Sequence, residues 1–126
     1  MSIQWEKAER ALLSAQVLLE NGDRNGAVNR AYYSIFYAAR SVLVQLDSKF
    51  AKFKSHSGIM SQFSKYLVVE RGRHPNFGRS FSFAFKARMA ADYKLAGVEM
   101  EKARKIVDAA GYFLNATSDY LPDPTP

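Results

Sequence analysis

The chain has 126 residues, 48% of them hydrophobic, which is enough for one domain with a buried core and too short for a second. It has no cysteine, which excludes disulfides, thiol nucleophiles and thiolate zinc sites and suits a reducing compartment. The formal charge of +6 is unevenly placed: from Asp47 to Lys94 there are ten Lys or Arg against three Asp or Glu, whereas the rest of the chain has eight against nine. Such a patch draws RNA or DNA by neutralising phosphates and releasing counterions, although many small basic proteins bind no nucleic acid.

A first helix is predicted from about Ile3 to Glu20, because Trp5, Ala8, Leu12, Ala15 and Leu19 form an apolar seam with charges between them. Asn21-Gly22 stops it, glycine being the usual residue for the left-handed position after a helix. Asp23 is a good N-cap for a second helix that continues to about Leu46. The short NGDRNG connection makes the two an antiparallel hairpin.

The second helix carries the most informative stretch, VNRAYYSIFYAARSVL from Val28 to Leu43. Val28, Tyr32, Ile35, Ala39, Val42 and Leu46 recur at spacings of four and three and form an inward stripe. Arg30, Tyr33, Tyr37 and Arg40 recur on another face, cationic and hydrogen-bonding, which can hold a phosphate-rich ligand or a partner subunit.

Asp47 to Ser55 reads as a polar, basic loop. Ser55 can then cap a third helix through His56, Ile59, Met60, Phe63 and Leu67, ending near Val69. Glu70 to Asn76 is a turn region, with Arg71, Arg73 and His74 exposed by composition. A fourth helix is predicted from about Phe77 to Lys94 and a fifth from about Val98 to Ser118. In the fifth, Ala103, Ile106, Ala110, Phe113 and Thr117 face inward, and Glu99 and Glu101 suit the N-terminal dipole. The expected architecture is an all-α, up-and-down bundle of about five helices in a single domain, residues 1–118, followed by an extended or disordered proline-rich tail, residues 119–126. With no secretory leader and no long uncharged apolar run, the chain is expected to be cytoplasmic and to have no contact with membranes.

From about Glu6 to Leu114 the chain resembles the HEPN domains, and within them a small stand-alone group of bacterial and archaeal proteins. The resemblance is strongest over AERALLSAQVLLENGDRNGAVNRAYYSIFYAARSVL. It extends to His56-Ser57-Gly58 with Phe63, and to Arg88 with Ala91-Asp92-Tyr93. It implies a helical bundle with a four-helix core, and a metal-independent ribonuclease in many members, often a toxin paired with a small nucleotidyltransferase antitoxin. It also implies a homodimer with the arginine-bearing clefts near each other. The family mark is an arginine followed, after four to six residues, by a histidine. Arg30 fits the arginine, and after six residues Tyr37 stands where the group commonly has histidine.

Metal-independent RNA cleavage needs a base for the 2′ hydroxyl, a cation for the phosphorane charge and an acid for the leaving oxygen. Arg30 can supply the cation. Tyr37 is a poorer base than histidine, since a phenol of reference pKa near 10 is ionised in roughly one molecule in a thousand at pH 7. Weak or absent turnover is therefore expected unless His56 substitutes. His56 titrates near neutrality if exposed; its other reading is a hydrogen bond to the helix start or to its neighbour Ser57. Arg88 and Asp92, four apart, can pair with each other, or Asp92 can reach Arg30 and orient it. Tyr33, Arg40, Arg88, Asp92 and Tyr93 are the candidate substrate-binding residues, with Arg30, Tyr37 and His56 as the candidate catalytic set. Two isolated histidines and scattered carboxylates do not make a metal site by spacing, no glycine loop for phosphates is present, and no cofactor is expected.

Three readings follow: a module that binds RNA or a nucleotide, or docks a nucleotidyltransferase, without turnover; an RNA-cleaving toxin using Arg30 with Tyr37 or His56; and a scaffold whose tyrosine-rich face is a dimer interface. The first is the one the substitution at Tyr37 favours.

Overall fold

A computed structural model describes residues 3–53, 55–63, 65 and 98–118. Four α-helices are defined there: α1, Ile3–Glu20; α2, Arg24–Leu46; α3, His56–Phe63; and α4, Met100–Thr117. The molecule is an all-α bundle, and no strand occurs among the described residues. The helix predicted over residues 77–94 lies outside them.

The α1–α2 hairpin is closed by local chemistry. Gly22 takes φ +82°, its N–H donates to Leu19 O at 3.1 Å, and the N–H of Asp23 donates to Leu18 O at 2.8 Å. This is the paired closure of a Schellman motif, which satisfies the last carbonyls of α1 and requires the left-handed residue that glycine supplies without strain. Asp23 then caps α2, its carboxylate accepting from the N–H of Gly26 at 2.9 Å.

The inward stripe of α2 is buried from Val28 to Val42, with Leu46 partly buried. Burial spreads wider than one stripe, since Ala27, Ala31, Ser34, Phe36, Ala38, Ser41 and Leu43 are buried too. The reason is position: α2 packs against α1, α3, α4 and the segment before α3, so only a narrow strip of it reaches solvent. A buried serine is tolerated because Ser34 Oγ donates to Ala8 O of α1 at 2.9 Å.

The segment after α2, expected to be a loop, contains a 3-10 turn, Ser48–Lys52. Asp47 caps it by accepting from the N–H of Lys49 at 3.0 Å, and Phe50 is buried beneath it. Ser55 caps α3 as expected, accepting from the N–H of Gly58 at 3.0 Å. Phe63 of α3 meets Phe113 of α4 with ring centroids 5.4 Å apart. The N–H of Val98 donates to Asn25 Oδ1 at 3.1 Å, which sets the start of α4 beside the start of α2. All five inward residues expected of α4 are buried, including Thr117, whose hydroxyl donates to Phe113 O at 2.7 Å. No helix among the described residues is long and apolar enough to cross a membrane.

Candidate anion-binding site

The strip of α2 left open by its neighbours carries Arg30, Tyr33, Tyr37 and Arg40, all partly exposed. The Arg30 guanidinium carbon lies 4.9 Å from the centroid of the Tyr33 ring, and its Nε and Nη2 both donate to Asn29 Oδ1, at 3.2 and 3.1 Å. One edge of the guanidinium is thus pinned and its face is covered. The Nη1 group has no partner, and no carboxylate pairs with Arg30, among the described residues. A charged fork held on one edge and open on the other is suited to an incoming phosphate oxygen.

The Tyr33 and Tyr37 rings follow, with centroids 5.9 Å apart and planes inclined by 37°. Tyr32, one residue before, faces the core and meets Tyr33 edge-on at 5.5 Å. Tyr37 opens onto a recess of about 340 Å³ lined by Gln4, Phe36, Tyr37 and Arg40. Lys7 Nζ stands 5.8 Å from the Tyr37 ring centroid. Arg40 serves a second purpose there, since its Nε donates to Phe53 O at 3.3 Å and its Nη2 to Ala51 O at 3.0 Å. It therefore clamps the end of the 3-10 turn to α2.

The structure therefore brings together four of the residues singled out in the sequence. His56 opens α3, and its side chain, like residues 74, 88, 92 and 93, lies outside the described part; the expected Arg88–Asp92 and Asp92–Arg30 contacts are outside it as well. Among the described residues no three of His, Cys, Asp and Glu gather where a metal ion could be held. Asn29, Lys7 and Gln4 were not anticipated. The hairpin itself holds the signal for two of them: Lys7 and Tyr37 are equally distant from Gly22, as are Gln4 and Arg40, so an antiparallel pair sets them opposite one another.

A second recess, about 650 Å³, runs between α1 and α4 and is lined chiefly by Trp5, Leu12, Leu13, Tyr112 and Leu114. Leu13, Val17 and Tyr112 are exposed beside it. It is apolar where the Arg30 strip is cationic, and among the described residues it shares no lining residue with the smaller recess.

A family model described as the HEPN domain matches residues 1–120. The chain belongs to the HEPN family. Among curated relatives, this HEPN chain is 34% identical over 87% of its length to 80% of a Methanocaldococcus jannaschii protein named "Putative toxin MJ0605". It is 30% identical over 94% of its length to 89% of a Thermotoga maritima protein named "UPF0332 protein". A further Methanocaldococcus jannaschii protein, "Putative toxin MJ0142", is 30% identical, covering 92% of this chain and 78% of that one. The chain is therefore a small HEPN module akin to proteins whose names carry the word toxin.

Proposed function

We propose that this HEPN chain is an RNA-binding module, one half of a toxin–antitoxin pair with a nucleotidyltransferase, in which cleavage is weak because Tyr37 replaces the family histidine. Arg30 is the electrostatic centre, and Tyr33, Tyr37 and Arg40 line the approach. The observation that carries this reading is the state of Arg30: pinned by Asn29, stacked on Tyr33, partly exposed, with an uncommitted Nη1 and no carboxylate to neutralise it among the described residues. Unlike Arg40, Arg30 ties down no other segment of the chain among the described residues, so its open edge is left to solvent or to an incoming phosphate oxygen. Arg88, Asp92 and Tyr93 complete the proposed substrate-binding set, and two copies set their arginine-bearing clefts together in the cytoplasm.

The relatives whose names carry the word toxin favour a second reading, a metal-independent endoribonuclease in which Arg30 stabilises the phosphorane and Tyr37 or His56 moves the proton. The two readings part in one assay, cleavage of single-stranded RNA in the presence of a chelator. On the binding reading the wild type cleaves little or nothing, and Tyr37→His raises the rate by about 10²–10⁴-fold, the contribution a positioned general base makes. Robust wild-type cleavage lost on Arg30→Ala would replace the binding reading with the enzymatic one.

A further inference from the structure

The cations of the α2 strip stand in two groups with aromatic rings between them. Arg30 is at one end. At the other, Lys7 and Arg40 flank the recess at Tyr37, with Lys7 contributed by α1. Ten residues of α2 separate Arg30 from Arg40, about 15 Å along the axis at roughly 1.5 Å per residue. That is farther than neighbouring phosphates of one strand lie from each other, so a single phosphate cannot touch both groups. Between them lie the partly exposed Tyr33 and Tyr37 rings; Arg30 stands over Tyr33, and the exposed part of the Tyr37 ring suits an unstacked base.

Arg40 has capacity for this role although it clamps the 3-10 turn. The two carbonyls occupy its Nε and Nη2, and Nη1 has no partner among the described residues. The recess wall also holds Gln4, whose Oε1 is shielded from water and accepts no hydrogen bond among the described residues. An unsatisfied amide oxygen in the wall it shares with Arg40 is a polar group that a ligand's hydroxyl or amino donor could satisfy once the side chain turns.

We propose that the recess formed by Gln4, Phe36, Tyr37 and Arg40, with Lys7 at its edge, is a second phosphate subsite. With Arg30 it selects a single RNA strand of at least three nucleotides over a mononucleotide. The inference rests on the RNA-binding reading and adds to it a minimum ligand length, a strand without a paired partner, and a contribution from α1 that the α2 pattern does not contain. A duplex keeps its bases stacked and cannot lay one on Tyr37.

The test is fluorescence anisotropy with a labelled oligouridylate hexamer, using uridine monophosphate and a blunt RNA duplex as competitors. The wild type should bind the hexamer at least about tenfold more tightly than either competitor. Lys7→Ala, an exposed position whose loss does not disturb the core, should weaken the hexamer about fivefold at low salt and lower its salt slope by about one, leaving competition by the monophosphate unchanged. Lys7→Glu should weaken it further. The subsite is overturned, with RNA binding intact, if the monophosphate competes as well as the hexamer or if both Lys7 variants bind the hexamer like wild type. No salt-sensitive binding of the hexamer by the wild type would overturn the RNA-binding reading and the subsite with it.

Discussion

The Arg30 guanidinium lies over the ring of Tyr33 at 4.9 Å and is tied by two donors to Asn29, its neighbour in sequence. Charge, ring and amide all come from about one turn of α2, so the site's central cation is held by side chains whose backbone positions one helix fixes. Asn29→Ala should leave the fold intact and weaken RNA binding about three- to tenfold, because Arg30 then samples more rotamers before it meets a phosphate. Tyr33→Leu should cost a similar amount through loss of the cation–π contact. Titrations of labelled RNA against the two variants check this, and binding equal to wild type for both would mean that Arg30 is not the contact.

Arg30 and Arg40 resemble each other in sequence and differ in their obligations. Arg40 holds two backbone carbonyls of the turn before α3, at 3.0 and 3.3 Å, whereas Arg30 holds only a neighbouring side chain. Arg40→Ala should therefore destabilise the protein by about 2 kcal/mol and Arg30→Ala by no more than about 1 kcal/mol, as read from urea unfolding. The reverse order would contradict the assignment of Arg40 as the clamp.

Ser34 is the polar tie between the two hairpin helices, fully buried with its hydroxyl on Ala8 O. Ser34→Ala removes the donor without adding volume and should cost about 1 kcal/mol. Phe113→Ala empties the space against Phe63 and should cost about 3–5 kcal/mol. Comparable losses for the two would mean that the α3–α4 contact is not tightly packed.

The turn between α1 and α2 offers a backbone test. At Gly22, with φ +82°, an added Cβ would meet nothing within 4 Å, so Gly22→Ala carries only the left-handed backbone penalty, about 1 kcal/mol. Asp23→Ala removes the cap of α2 at about the same cost. Thermal melts of the two should show similar downward shifts, and a clearly larger loss for Gly22→Ala would indicate a side-chain clash that the structure does not contain.

What could be read from the sequence was whatever is decided locally. The stop at Gly22, the cap at Asp23, the cap at Ser55 and the inward face of α4 depend on residues within one or two turns, and all four stand as expected. The face shared by Arg30, Tyr33, Tyr37 and Arg40 was legible for the same reason, helical spacing alone. Arg40's partners were not, because they are backbone carbonyls eleven and thirteen positions further on, brought back by a 3-10 turn in a segment whose composition reads as loop. Lys7 escaped because its proximity to Tyr37 comes from the pairing of α1 with α2 rather than from any motif. Ser34 and Ser41 escaped because a helix enclosed by its neighbours buries residues that lie off its apolar stripe.

The account turns on Arg30 as a phosphate contact, and the most direct measurement is the salt dependence of single-stranded RNA affinity for wild type and Arg30→Ala. If the guanidinium meets a phosphate, affinity falls with rising salt for both proteins, and the variant's slope of log K against log salt is shallower by about one. An Arg30→Ala protein with wild-type affinity and slope would contradict it.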